Sequence, residues 1–292
     1  MVSEQLAPML VPALQLSATR LALLLSYAYA DYFLPVWVDA EQFRRMCRVE
    51  DVDLAESVVA LVMDEPAGLA LLARRGARGW ISGVGVLPVY RRHGIARHMV
   101  RTLQQRAPSL GLERLTLEVL VQNAPGLSLY RELGFRARRK LLVLTLEEPT
   151  LGPAPLPEDI VFLAPDKLLT HSERFHKVRP SWQRERLSLA RRTALHGLAR
   201  YDESGKMEGY LLYEEQPRHQ AIYDLGVVVD HPQRTAVAQN LLLALHRLRP
   251  GVGGHFVNLP ATEGLLDAFL HLGYRIWHKQ YEMVWEAEET IS

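Results

Sequence analysis

The chain has 292 residues, 48% of them hydrophobic and 23% charged, with a formal net charge of +1. That length suits two domains of ordinary globular composition. Near-zero charge gives no global field to draw in nucleic acid or an anionic membrane, so any anion site must be local. The single cysteine, Cys47, excludes an internal disulfide and a multi-cysteine zinc site. Within EQFRRMC it reads as a buried, inert thiol, which fits a reducing cytoplasm.

The N-terminal MVSEQLAPMLVPALQL has no basic lead and makes a poor secretory signal. MLVPALQL reads as a first strand. Ser17 then caps a helix to about Tyr29, whose apolar run LALLLSYAYA is too short to span a bilayer and meets Asp31. ADYFLP breaks that helix, since Pro35 disfavours helix at the residue before it. Asp39 caps a second helix to about Arg48. SVVALVM, GLALLARR and WISGVGV follow at hairpin spacing and predict an antiparallel meander. A basic loop leads into helix RHMVRTLQQRA. Strand LERLTLEVL, turn QNAP, helix GLSLYREL with Gly134 as its C-cap, and strand FRARRKLLVLTLE complete the half.

EEPTLGPAPLPED holds four prolines and reads as a linker. The same rhythm then returns: strand DIVFLA, two helices across 165–192, strands ALHGLARYD, YLLYEEQ and AIYDLGVVV, and helix RTAVAQNLLLALHRL. Strand HFVNL, helix TEGLLDAFLHL, Gly273 and strand YRIWHKQYEMVWEA close the chain. The expected fold is therefore α+β, a mixed and mostly antiparallel sheet flanked by helices, built twice about 140 residues apart. The expected domains are 1–148 and 158–292, joined by a linker at 149–157.

VLPVYRRHGIARHMV places three arginines and a histidine around Gly94, where a strand turns into a helix. Glycine permits unusual dihedrals and close approach of a ligand. The first helical turn leaves N–H groups unsatisfied, and its dipole adds positive charge, a combination that suits phosphate. Arg91, Arg92 and Arg97 add charges able to pair with phosphate oxygens. The alternative is a solvated turn with decorative arginines. The loop, R-x-x-G-x-A, is neither a Walker loop nor a G-x-G-x-x-G fingerprint.

Residues 80–135 resemble the GNAT superfamily of acetyl-coenzyme A-dependent N-acetyltransferases. The resemblance rests on strand GVGV, the step Val86–Pro88, loop RRHGIA, strand LTLEVL and segment NAPGLSLYRELGF. It implies a splayed strand pair, ending near Val86 and Leu120, with a pantetheine arm between them. It also implies a pyrophosphate held by the backbone of Arg91, Arg92, His93, Gly94, Ile95 and Ala96. The implied reaction is direct attack of an amine on a thioester. The oxyanion donor would be the backbone N–H of Val86 or Leu87, since Pro88 cannot donate. Tyr130 matches the family's proton-donating tyrosine, and a phenol near pKa ~10 stays protonated at neutral pH; the alternative is an apolar-face aromatic. Asn123 matches an asparagine that bridges to the coenzyme, or it simply caps its helix. No carboxylate stands on WISGVGV, so Glu118 is the nearest candidate base, or a structural residue. Tyr29, Asp31, Tyr32 and Phe33 would line an amine acceptor site or pack as an interhelix turn, and Trp80 would wall the pocket or, the favoured reading, pack in the core.

The second half keeps Pro232 and Arg234, but Val237 lies near the expected glycine, Asp230 brings negative charge, and Phe269 replaces the tyrosine. It is expected to keep the fold without a coenzyme site. His171, His176, His219, His231, His255 and His278 show no helical i, i+4 pair, so no metal is expected. RPSWQRERLSLARR reads as a solvated basic helix face. The leading expectation is a cytoplasmic acetyltransferase, monomer or homodimer. Its partners would be acetyl-CoA and a primary amine of a small molecule or peptide, with no nucleic acid or membrane. The alternative is a catalytically decayed acyl-CoA-binding sensor or interaction protein.

Overall fold

A computed structural model describes residues 8–287 except Pro35, Glu148, Thr150, Leu151, Pro153 and His171. The roles expected of Pro35 and His171, and part of the proline-rich linker, lie outside the described residues. Two compact units emerge: 1–138 with 282–292, and 139–281.

The first unit contains β1 (Met9–Pro12), α1 (Ala18–Ala28), α2 (Ala40–Glu50), β2 (Val58–Val62), β3 (Glu65–Arg75) and β4 (Arg78–Val86). It continues with α3 (Ile95–Arg106), β5 (Arg114–Leu120) and α4 (Ala124–Glu132). The meander is present, with β1–β2, β2–β3 and β3–β4 all antiparallel. α1 forms because its long apolar run buries Leu21, Leu24, Leu25 and Ala28 against Phe43, Cys47, Val59, Leu69 and Leu71. The Ser17 hydroxyl caps it at the Arg20 N–H, 3.3 Å away. Asp39 and Gln42 form a reciprocal capping box on α2. Burial, then the nearby Glu50 charge, pushes the Cys47 thiol up to about 12, as expected of an inert core cysteine.

The second unit contains β7 (Ile160–Phe162), α5 (Pro165–Leu169), α6 (Arg186–Ala190), β8 (His196–Tyr201), β9 (Met207–Glu215) and β10 (His219–Val227). α7 (Arg234–Leu248), β11 (Gly253–Pro260) and α8 (Leu266–His271) follow. β10 and β11 are parallel, and β7–β8, β8–β9 and β9–β10 are antiparallel. α7 and α8 supply Val237, Leu241, Leu245 and Phe269 to a core beneath them.

The boundary between the units differs from the proline-rich linker that the sequence suggests. It falls inside β6 (Arg136–Leu146), whose residues from Arg139 onward belong to the second unit and pair antiparallel with β11. Conversely β12 (Arg275–Glu286) runs in the second unit to Tyr281, and its end belongs to the first. There the Ala287 N–H donates to the Glu113 carbonyl at 2.8 Å. Each unit is thus completed by the last strand of the other half. Chain order favours neighbours in sequence, whereas edge pairing follows unsatisfied backbone groups wherever they lie.

The two helices expected across 165–192 are present but short, and one further expectation is corrected. The two helices of 165–192 are only five residues each, separated by 3₁₀ turns at Ser172–Phe175 and Trp182–Arg184. The run RPSWQRERLSLARR is not a solvated face, because Ser181, Trp182, Arg184, Glu185, Ser188 and Leu189 are buried. Among the described residues no helix is long and apolar enough to cross a membrane.

Candidate active site

β4 and β5 run parallel but pair only at Arg78–Arg114, Gly79–Leu115 and Trp80–Thr116. Beyond Trp80 and Thr116 they part, and the fork opens onto a cleft of ≈ 760 Å³. Ile81 to Val86 line one side, Leu117, Glu118 and Val119 the other, and the loop residues Arg91, Arg92 and Gly94 to Arg97 lie along it. The open edge of β4 has a defined polarity. Leu87 N–H donates back to the Ala67 carbonyl at 2.9 Å, on the β3 side. Alternation then directs the N–H groups of Val84 and Val86 toward the fork. Of the two expected oxyanion donors, Leu87 is therefore engaged in the sheet, and Val86 remains.

The loop turns on two left-handed residues, Arg92 at φ 69° and Gly94 at φ 78°. Gly94 is the N-cap of α3 and offers no side chain to the first-turn N–H groups. A Cβ on Gly94 would meet nothing within 4 Å, so the demand for glycine is conformational. The arginines are not equivalent. Arg91 forms a bidentate pair with Asp31, at 2.6 and 2.7 Å, and also donates to the carbonyls of Val86 and Ala28. Arg97 pairs with Glu132. Two of the three expected phosphate ligands are thus already matched with carboxylates, while Arg92 and His93 are exposed. Asp31 lines the cleft as well. Its hydrogen bond from Arg91 holds its carboxyl below the usual range, and its charge is committed to that clamp.

α1 ends in an aromatic cluster. Tyr29 and Tyr32 meet edge to face at 5.2 Å, and Tyr32 and Phe33 at 5.5 Å. The Tyr29 hydroxyl donates to the Val84 carbonyl at 3.1 Å and accepts from the Val84 N–H at 3.2 Å, on the open edge of β4. Gly85 makes this possible, since a Cβ there would stand 3.1 Å from the Tyr29 ring and 2.7 Å from Ala28. Asn123 does both things expected of a turn asparagine: it caps α4 at Gly126 N–H, 3.0 Å, and its amide donates to the Tyr32 hydroxyl at 3.2 Å.

Tyr130 lies on α4, and only 9% of it is exposed. Burial, reinforced by Tyr29 and Tyr32, raises its phenol well above the ordinary value, so it stays protonated. It lines the cleft, and it packs edge to face on Phe135 at 5.9 Å. Gly134, at φ 83°, ends α4 and lets the Phe135 N–H reach the Tyr130 carbonyl at 2.9 Å. Glu118 faces the cleft and accepts from the Trp80 indole at 2.6 Å. Trp80 itself is 2% exposed and does not line the cleft, so it is not a wall of the acceptor site. Ser82, Gly83 and Val84 line the cleft but escaped the sequence reading. The alternating glycines of WISGVGV were the available signal.

The second unit has its own fork. β10 and β11 pair from His219–Gly253 to Ile222–Phe256 and then separate. Here Arg184 fills the opening. Its guanidinium donates to the Tyr223 carbonyl of β10, the Asn258 carbonyl of β11 and the Asp224 carboxylate at 2.7 Å, and stacks on Phe256. Asp224 also accepts from the Tyr210 hydroxyl at 2.6 Å and lies 3.2 Å from His176 Nε2. Arg234 repeats the device of Arg91, donating to the Val227 and Phe175 carbonyls and pairing with Glu263 at 2.6 Å. The counterpart of Gly94 is not Val237, which is fully buried inside α7, but Gln233, the residue before the helix, at φ −110°. Phe269 packs on Phe256 and Tyr274, and Asp230 stands exposed in the turn before α7. Among the described residues no group of three metal-ligating side chains could hold an ion.

A forked parallel pair, a left-handed loop capping the following helix and a cleft-facing tyrosine make up an α+β fold shared with the GNAT acetyltransferases. Residues 23–135 match the acetyltransferase (GNAT) family, and the chain carries a GNAT acetyltransferase domain. The chemistry of that family is acetyl transfer with acetyl-CoA as cosubstrate. The fold extends through the chain. A GCN5-related N-acetyltransferase from Sphaerobacter thermophilus shares it at TM-score 0.73 and 18% identity, covering 100% of this chain and 99% of its own. A putative acetyltransferase from Pyrococcus horikoshii does so at 0.68 and 16%, over 96% and 90%. A tandem GNAT protein from the clavulanic acid biosynthesis pathway does so at 0.67 and 16%, over 97% and 99%. No curated protein matches by sequence.

Proposed function

We propose that the first unit transfers an acetyl group from acetyl-CoA to a primary amine of a small molecule or peptide by direct attack, and that the second unit binds no coenzyme. The observation that carries this reading is the β4–β5 fork. Its ladder stops after Trp80–Thr116, and the cleft it opens is continuous with the Gly94 loop and Tyr130. The site fits an extended, anionic thioester carrier. The N–H groups of 91–96 at the start of α3 would hold the diphosphate, with the exposed Arg92, unpaired among the described residues, beside them. The bound carrier supplies an activated acetyl group. Val86 N–H aims at the position of the developing oxyanion. Tyr130, kept protonated by burial, donates to the departing sulfur. Glu118 accepts the amine proton, and Tyr29, Tyr32 and Phe33 shape the acceptor side. Arg91 positions rather than ligates, tying the ends of α1 and β4 through Asp31, Ala28 and Val86.

In the second unit Arg184 meets the carbonyls that line the fork, and no left-handed glycine precedes α7. A buried Cys47 and the absence of any other cysteine suit a reducing cytoplasm. One observation favours the second reading, a sensor: β4 carries no carboxylate facing the cleft. Calorimetry with acetyl-CoA and thiol release across an amine panel separate the two. One coenzyme per chain with amine-dependent thiol release supports the transferase. Binding without release supports the sensor, and no binding removes both.

A further inference from the structure

The crotch of the fork holds three groups whose arrangement has its own meaning. Trp80 is in the last pair of the ladder, and its indole N–H donates to Glu118 Oε2 at 2.6 Å. Because the indole is 2% exposed it cannot swing away, so the carboxylate is held at one place on the cleft wall. On the facing strand, the register between β3 and β4 jumps from Leu71–Gly83 to Leu72–Ile81, which leaves Ser82 as an extra residue. Bulges of this kind re-aim a side chain. Ser82 lines the same cleft, and its hydroxyl oxygen is buried with no hydrogen-bond partner among the described residues. A buried polar atom left unmatched within the protein takes its partner from an ordered water or from a bound ligand, and in an open cleft a ligand can displace the water.

Resting on the acyltransferase reading, we propose that Ser82 and the Trp80-held Glu118 form the seat of the acceptor's primary ammonium. In that seat Ser82 is a binding residue and Trp80 a positioning residue. An ammonium carries three N–H donors and no acceptor. A hydroxyl oxygen and a carboxylate on opposite walls complement it, whereas an alcohol or thiol acceptor would supply only one donor. Glu118 is the carboxylate that the Trp80 indole holds on the cleft wall, whereas Asp31 pairs with Arg91 and Glu132 with Arg97. In the balanced step, one N–H proton of the seated ammonium passes to the Glu118 carboxylate, which becomes a neutral carboxyl. The free nitrogen pair then forms the N–C bond as the C–S bond breaks, and the departing sulfur takes the Tyr130 proton; the acylated nitrogen gives up its second proton, which returns through solvent to Tyr130 and leaves a neutral amide, a thiol and the Glu118 carboxyl. The Tyr29, Tyr32 and Phe33 cluster along the same cleft points to an amine carrying an apolar or aromatic body.

The test titrates the folded full-length protein with phenethylammonium, and with phenethyl alcohol as the uncharged match, while the Trp80 indole N–H is followed by ¹⁵N-resolved NMR. Trp80→Phe assigns the resonance, and sequential assignment does so should that variant not fold. We expect the ammonium to shift this resonance saturably and the alcohol not to. Ser82→Ala should weaken the ammonium by about tenfold, the loss of one hydrogen bond to a charged group. Glu118→Gln should abolish the response. A wild-type protein without a saturable shift, an equal response to the alcohol, or a Ser82→Ala curve matching wild type would each overturn the proposal. Acetyl-CoA calorimetry on the same samples reports on the transferase reading separately, because it does not depend on the amine seat.

Discussion

Replacing Arg184 by Met keeps an apolar stem against Phe256 and removes the guanidinium. The wild-type group is 3% exposed and meets Asp224, 1% exposed, together with the carbonyls of Tyr223 and Asn258. The variant leaves Asp224 with Tyr210 and His176 only, and leaves both carbonyls without this donor. Removing one partner of a buried ion pair costs about 3–5 kcal/mol. Each orphaned carbonyl would add about 1–3 kcal/mol in isolation, although contributions within one network overlap. The expected loss is therefore at least about 3 kcal/mol, localised to the second unit. Urea denaturation followed by fluorescence reads it, since Trp182 is buried two residues away. Acetyl-CoA affinity should be unchanged, because the proposed coenzyme cleft lies wholly in the first unit. A loss below about 1 kcal/mol, the scale of an exposed pair, would refute the buried plug.

Four other outcomes are expected. Gly94→Val places a β-branched side chain at φ 78°, a strain of roughly 1–2 kcal/mol or more, and should abolish acetyl-CoA binding by calorimetry while the protein stays folded. Tyr130→Phe should lower turnover by about a hundredfold or more with coenzyme affinity nearly intact, and equal turnover would remove the hydroxyl from proton donation. His176 is disfavoured as a cation by burial, but Asp224 and its hydrogen bond outweigh this, with Glu263 assisting, and move it up to about 9. Its folded value lies above its unfolded one, so its stabilisation is complete below pH 6.5 and declines as pH rises toward 9. Urea midpoints measured across that window should fall, and His176→Gln should flatten the slope; a variant with the wild-type slope would clear His176 of the effect. Cys47, pushed up to about 12, should resist thiol reagents in the native state and react on unfolding.

Much of the site was legible because it is local. The run from WISGVGV through Gly94 to α3 forms from neighbours in sequence, and so do Asn123 as a cap and Gly134 as the turn after Tyr130. Charge pairing was not. Nothing in the chain order tells that Arg91 meets Asp31, sixty residues away, or that Arg97 meets Glu132. RPSWQRERLSLARR misled for the same reason. Its basic pattern matches a wet helix face, and only the separation of β10 and β11 creates the buried acceptors that draw Arg184 inward. The loop before α7 is shorter than that before α3, which sets Val237 inside the helix rather than ahead of it.

By itself the amino-acid order settled the α+β class, the repeated rhythm, the strand–loop–helix around Gly94 and the burial of Cys47. Each of these depends on periodicity, turn chemistry and composition within a few tens of residues. Only the tertiary structure decided which strand closes which unit, which arginines are already matched, which backbone N–H groups face the cleft, and how the second fork is filled. Those outcomes depend on hydrogen-bond and ion partners brought together across long stretches of chain, and no local pattern encodes the partner's address.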